Sequence, residues 1–230
     1  MAKPRSLSKN PHAASAIRVL LVEDHPMFRE RLAQVIEANA EMSVCGEADN
    51  TVRAIELIRE TSPQIVVADI TLNGSDGLSL MKDLRGQGLA TPVLILSMHE
   101  EELYAERALR AGARGYITKA AAANEIVEAI QRVLAGGMYF SPDLTARMIL
   151  KSVSGQAEEA AQGVEALSDR ELEVFRQIGL GKSLKQIAAL LNLADSTVET
   201  YIGHIREKLD VKSAAEVYAR AAQWRIEKGL

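Results

Sequence analysis

The chain has 230 residues, 47% of them apolar and 25% charged, with a net charge of −4, an ordinary balance for one large globular domain or two small ones. That excludes collagen-like, mucin-like and wholly disordered chains, and no run of about 18 apolar residues offers a membrane span. The lone Cys45 allows neither an internal disulfide nor a cysteine metal cluster, and between Val44 and Gly46 it reads as a small core hydrophobe.

Residues 1–16 mix Lys, Pro, Ser, Asn and Ala without period, and read as a disordered tail with no apolar secretory core. A cytoplasmic protein is expected. From Ile17 short apolar runs alternate with amphipathic stretches. The runs are Ile17–Val22, Met42–Cys45, Ile65–Ala68, Val93–Leu96 and Tyr116–Ile117, and the helical stretches lie near 27–38, 51–60, 77–85, 101–111 and 123–135. Five strand-then-helix units predict an α/β domain over 17–137, a doubly wound five-stranded parallel sheet with helices on both faces. Gly136-Gly137 stops the fifth helix. Residues 138–163 form a connector with a short helix at Asp143–Leu150 and a Ser, Gly, Gln, Ala and Glu linker from Ser152.

From Val164 the pattern is helical only. Ser168/Glu171, Ser183/Gln186, Ser196/Glu199 and Ser213/Glu216 each have capping-box spacing, which predicts four short helices over 164–230. Leu184, Ile187, Leu190 and Leu191 give one helix an apolar face, Asn192–Asp195 is a turn, and Val198, Ile202, Ile205 and Leu209 line the next helix, with Tyr201 at its edge. Two such helices joined by a tight turn read as a helix-turn-helix, or as a hairpin that packs on a partner. Leu209, Val211, Val217 and Tyr218 read as core or as a dimer surface. Residues 164–230 carry 10 Lys+Arg and 10 Asp+Glu, so contact with nucleic acid must rest on local placement of charge.

In open α/β sheets, ligands bind beyond the carboxyl ends of the strands. Glu23 and Asp24 follow the first strand, Asp69 ends the third, Ser97 the fourth, and Lys119 follows the fifth. Clustered carboxylates repel one another unless a cation joins them, and a hard, oxygen-seeking ion such as Mg²⁺ fits. A carboxylate beside Mg²⁺ can attack phosphorus to give an acyl phosphate, with the ion and Lys119 neutralising the transferring group. No Gly-rich nucleotide loop follows the first strand. His25 reads as a surface loop histidine, and Glu100-Glu101-Glu102 as a solvated first helical turn.

The segments Leu-Val-Glu23-Asp24-His, Val-Ala-Asp69-Ile-Thr-Leu-Asn-Gly-Ser-Asp-Gly77, Leu-Ser97-Met and Gly-Tyr116-Ile-Thr-Lys119 resemble the signature segments of bacterial response-regulator receiver domains, which have a flavodoxin-like fold. The resemblance implies that Asp69 accepts phosphoryl from a phosphohistidine on a sensor histidine kinase. It implies Asp24, Asp69 and the Thr71 carbonyl as Mg²⁺ ligands, Glu23 acting through water, Ser97 and Tyr116 as a switch pair, and Lys119 as the phosphoryl partner. Asn73 and Ala120 stand where the family often has proline; a cis bond before Ala120 would cost about 3 kcal/mol.

Leu167-Ser-Asp-Arg-Glu-Leu-Glu-Val, Gly181-Lys-Ser-Leu-Lys-Gln-Ile-Ala, Ser196-Thr-Val-Glu-Thr and Ile205-Arg-Glu-Lys-Leu resemble the LuxR-type helix-turn-helix. A receiver joined to this module is similar to the NarL/FixJ class of response regulators. That class implies a phosphorylation-dependent, promoter-binding transcription regulator rather than an enzyme, and a homodimer on phosphorylation or on DNA. The helix at 196–209 would enter the major groove with Glu199, Thr200 and Gly203 toward the bases. Lys182, Ser183, Lys185, Ser196, Thr197, Arg206, Lys208 and Lys212 are the phosphate candidates. Two other readings are a Mg²⁺-dependent phosphohydrolase, against which Thr71 stands where a second carboxylate is needed, and a regulator that works without phosphorylation.

Overall fold

The computed structural model describes residues 16–72, 75–98, 101–142, 144–146, 150 and 163–228. Residues 1–15 of the expected tail and most of the Ser152–Gly163 linker lie outside the described residues, as do Asp143 and residues 147–149 of the expected short helix. The chain forms two compact units, Met1–Met148 and Ile149–Leu230.

In the first unit the order is β1 (Ile17–Val22), α1 (Pro26–Glu37), β2 (Met42–Ala48), α2 (Thr51–Thr61), β3 (Ile65–Asp69), β4 (Thr71–Leu72), β5 (Ser75–Asp76), α3 (Gly77–Gly86), β6 (Val93–Ser97), α4 (Glu101–Ala111), β7 (Gly115–Thr118) and α5 (Lys119–Leu134). Five strands pair in parallel in the order β2-β1-β3-β6-β7. The order reverses between β1 and β3, which opens a crevice at their carboxyl ends. Strands buried on both faces read as continuous apolar runs, and β3 and β6 are buried at every position. Val19, Leu21, Val67, Leu94 and Leu96 meet Leu32 and Ile36 of α1 and Ile126 and Ile130 of α5 in one core.

Some elements depart from the expected ones. Strand β2 runs three residues past Cys45, because the register with β1 shifts between Val19 and Leu20, pairing Val44 and then Gly46 and leaving Cys45 as the bulged residue. Cys45 is accordingly half-buried, its Sγ 3.5 Å from the Thr61 hydroxyl. Helix α5 starts at Lys119, four residues early, because the Thr118 hydroxyl caps it by accepting from Ala121 N. The antiparallel pair β4-β5 is unanticipated, since two-residue strands have no legible period. The chain past Gly137 stays with the sheet. Tyr139 N donates to Arg114 O at 3.0 Å and Tyr116 N to Tyr139 O at 2.8 Å, and a Cβ on Gly115 would lie 2.9 Å from that carbonyl.

The second unit has a 3₁₀ turn at Gly163–Ala166 followed by α6 (Asp169–Gly179), α7 (Leu184–Leu191), α8 (Asp195–Lys208) and α9 (Ala214–Lys228). Phe175, Ile187, Val198, Ile205, Val217 and Ala221 are buried, and the Phe175 ring tilts against Trp224 with centroids 5.7 Å apart. The capping boxes at Ser168/Glu171 and Ser183/Gln186 are complete. At Ser213 the Glu216 amide donates to the serine, but the Glu216 carboxylate accepts from Lys212 N, one residue earlier than a box requires. The box expected at Ser196/Glu199 does not form. Asn192 ends α7 in the left-handed region at φ 52°, Ala194 takes the N-cap position, and Ser196 falls inside the first turn of α8. Leu190 is 54% exposed, and Ala188 takes its place on the buried face of α7.

Candidate functional site

The crevice between β1 and β3 holds the first site. Asp69, the last residue of β3, is buried, and its Oδ1 accepts from Thr71 N at 3.1 Å. Its Oδ2 accepts from Lys119 Nζ at 2.9 Å, and the same ammonium lies 2.5 Å from Glu23 Oε2. Lys119 reaches this point because α5 begins there and its Nζ sits over the Phe28 ring of α1, 4.7 Å from the centroid. Sequence reasoning missed Phe28, whose signal was its place one turn after the acidic pair. It also missed Arg29, which donates to the Glu23 carbonyl and to Glu47 Oε2. His25 is exposed, yet its Nδ1 lies 2.8 Å from Asp24 Oδ1 and 3.0 Å from Glu23 Oε1, so it belongs to the cluster rather than to an indifferent loop.

One ligating atom each from Glu23, Asp24, His25 and Asp69 all lie within 4.8 Å of one another. Burial pushes the Asp69 carboxyl up to about 6; Lys119 pulls it back down, and the neighbouring Glu23 charge adds to the rise. A single ammonium therefore does not fully compensate the buried carboxylates. Ser97 is buried at the end of β6, one residue past Leu96, the ladder partner of Asp69. Tyr116 is buried in β7. Thr71 meets Asp69 through its amide. There is no cis peptide bond among the described residues, so Lys119–Ala120 is trans.

In the second unit Val198, Ile202 and Ile205 turn inward, while Glu199, Thr200, His204 and Glu207 are exposed on α8. Thr200 Oγ1 donates to Ser196 O at 2.9 Å, occupying its hydroxyl locally. Lys185, Ser196, Arg206 and Lys212 are exposed, and Lys182 and Thr197 are half-buried. The Ser183 hydroxyl caps α7 by accepting from Gln186 N. Lys208 has a different engagement from the one its position suggests: its Nζ is 2.6 Å from Glu171 Oε2. Burial raises the Glu171 carboxyl, but the hydrogen bonds from Lys208 and Ser168 outweigh it and hold the group below its usual range. This pair was missed because its partners are 37 positions apart.

The first unit matches the family described as "Response regulator receiver domain" over residues 19–131, and the second matches "Bacterial regulatory proteins, luxR family" over residues 165–221. The chain is 34% identical over 211 residues to the probable transcriptional regulatory protein NarL of Mycobacterium tuberculosis, covering 91% of this chain and 95% of that one. This chain belongs to the two-component response regulators. The response regulator GacA of Pseudomonas aeruginosa is 32% identical over 201 residues, 87% of this chain and 93% of its own length. A crystal structure of a LuxR-family response regulator from Aurantimonas sp. superposes with a TM-score of 0.55 at 39% identity, covering 60% of this response regulator and 99% of that chain. The family is one of transcription regulators. Its receiver implies a histidine kinase as partner, and its LuxR-type domain implies binding to DNA. Receiver domains generally bind Mg²⁺ at an acidic pocket, and this chain has an acidic cluster at Glu23, Asp24 and Asp69. Among the described residues, no helix is long and apolar enough to cross a membrane.

Position 203 gives a direct test of α8. A Cβ on Gly203 would meet nothing within 4 Å. Gly203→Ala is expected to stabilise the second unit by about 1 kcal/mol through helix propensity alone. If this face meets DNA, Gly203→Glu sets a carboxylate against the duplex and is expected to weaken binding at every salt concentration. Thermal unfolding and a salt titration of DNA binding check the two halves separately.

Proposed function

We propose that Asp69 is the phosphoryl acceptor and that its modification sets the DNA-binding state of this response regulator. A carboxylate oxygen of Asp69 attacks the phosphorus of a phosphohistidine, the P–N bond breaks, a P–O bond forms, and the imidazole leaves. Glu23, Asp24, Asp69 and the Thr71 carbonyl would hold Mg²⁺, with Glu23 acting through water. The hard-oxygen donor set and the incompletely compensated Asp69 fit that ion. When bound, Mg²⁺ supplies positive charge to the transferring group. Lys119 orients the acceptor oxygen before transfer and pairs with the phosphoryl group afterwards. Ser97 donates to a phosphoryl oxygen, and Tyr116 changes its packing as the second member of the switch. The protein acts in the cytoplasm, carries out no further turnover, and dimerises on phosphorylation or on DNA.

On DNA, α8 enters the major groove with Glu199 and Thr200 toward base edges and Gly203 leaving room beside them. The Thr200 methyl suits a thymine methyl, and Glu199 can accept from cytosine N4. Lys182, Ser183, Lys185, Ser196, Thr197, Arg206 and Lys212 take the phosphates, and Lys208 serves chiefly through Glu171. The observation that carries the reading is the Lys119–Asp69 contact at 2.9 Å inside a cluster of carboxylates. Promoter footprinting at fixed salt tests it. Acetyl phosphate with Mg²⁺ is expected to strengthen protection by the wild type and leave Asp69→Asn unchanged. An equal response from Asp69→Asn removes Asp69 from the role.

A further inference from the structure

At the amino ends of β6 and β7, at the opposite end of the sheet from Asp69, the first unit has a groove of about 420 Å³. Its floor is apolar, from Met81 and Leu84 of α3, Val93 of β6 and Val133 of α5, and its rim carries Arg85 and Arg114. Its lining contains no Asp or Glu. Neither guanidinium has a hydrogen-bond or ion-pair partner among the described residues, whereas Arg29, Arg53 and Arg110 all do. The Arg85 side chain runs toward the turn before β7. Its guanidinium lies across Gly112, where a Cβ would come within 2.2 Å of Nη2, and the backbone there is at φ +97°, a conformation glycine favours.

We infer that this groove is a second ligand site, for a small organic carboxylate with a short apolar tail. Two unpaired guanidiniums supply the planar forks that carboxylates match, and the apolar floor takes the tail. The volume falls within the range of small-molecule sites. The charge complementarity decides the class: a neutral hydrophobe leaves both arginines unused, and a cation is repelled by them. The inference does not depend on what happens at Asp69.

The probe is octanoate, titrated into the full chain by calorimetry and followed at the Met81 methyl group by NMR. Octanoate is expected to bind and shift that methyl. Arg85→Gln with Arg114→Gln is expected to weaken it roughly tenfold or more, and octanol and acetate to bind at least roughly tenfold more weakly than octanoate. Arg85→Glu with Arg114→Glu should reverse the preference toward octylammonium. Both arginines are exposed, so these variants fold, which an unchanged amide spectrum elsewhere verifies. An unshifted Met81, equal binding by the double glutamine variant, or equal binding of octanol overturns the proposal. So does self-association that the double variant abolishes while octanoate has no effect, which would assign the groove to a second copy.

Discussion

Asp69→Asn is expected to make the first unit more stable at pH 7 in the absence of divalent ions, by up to about 3 kcal/mol, or roughly 10 °C in unfolding midpoint. The carboxyl titrates at about 6 when folded, against 3.8 ordinarily. A carboxyl with a raised folded pKa contributes stability that is fully present below about 3.8 and is lost as pH rises through about 6. At pH 7 the folded protein therefore carries an ionised Asp69 at a cost, and a neutral amide of the same shape avoids that cost. The single amide oxygen keeps one of the two bonds; turned toward Thr71 N it leaves the amide NH2 facing Lys119, which keeps Glu23, so about 3 kcal/mol is the upper end of the gain. The gain should shrink as pH falls through about 6 and vanish only below about 3.8, where Asp69 is protonated in both states. Mg²⁺ should stabilise the wild type at pH 7 and do little for the variant. Thermal unfolding at pH 4, 5.5 and 7, with and without Mg²⁺, reads all of this. A variant less stable than wild type at pH 7 would show that Asp69 is structural rather than held at a cost for chemistry.

That cost explains which parts of the site were legible in the sequence. Strand ends are easy to place when strands are buried on both faces, because the apolar run stops where the ligand crevice begins. Val22 and Ala68 mark those ends, and the acids that follow them were found for that reason. What lay outside that logic was lateral support. Phe28 under Lys119 and Arg29 on the Glu23 carbonyl come from the first turn of α1, where only their place after the acidic pair marks them. The second unit fails differently. Serine-to-glutamate spacing marks a capping box only if the serine has extended backbone. Ser196 is already helical, because the left-handed turn at Asn192 lets α8 start at Asp195. The Glu171–Lys208 pair is a long-range contact that no local period encodes.

Lys119→Met should have the opposite sign to Asp69→Asn. It removes the ammonium that both Asp69 and Glu23 contact and leaves two neighbouring buried carboxylates, a loss of about 3–5 kcal/mol at pH 7. Lys119 is the chief group pulling the Asp69 pKa down, so its removal drives that carboxyl further up. The destabilisation should therefore shrink as pH falls, once Asp69 takes up a proton and can share it with its neighbour. The informative comparison is the double variant. If the two groups act only on each other and Glu23, adding Asp69→Asn to Lys119→Met removes one of the unpaired charges, so the double variant should be more stable than Lys119→Met alone by more than Asp69→Asn gains in the wild type. A coupling of about 1–3 kcal/mol is expected from denaturant unfolding of the four proteins at pH 7. Strict additivity would mean that the Lys119–Asp69 contact carries no energy in the folded protein, and Lys119 would then have to owe its position to Phe28 and Glu23 alone.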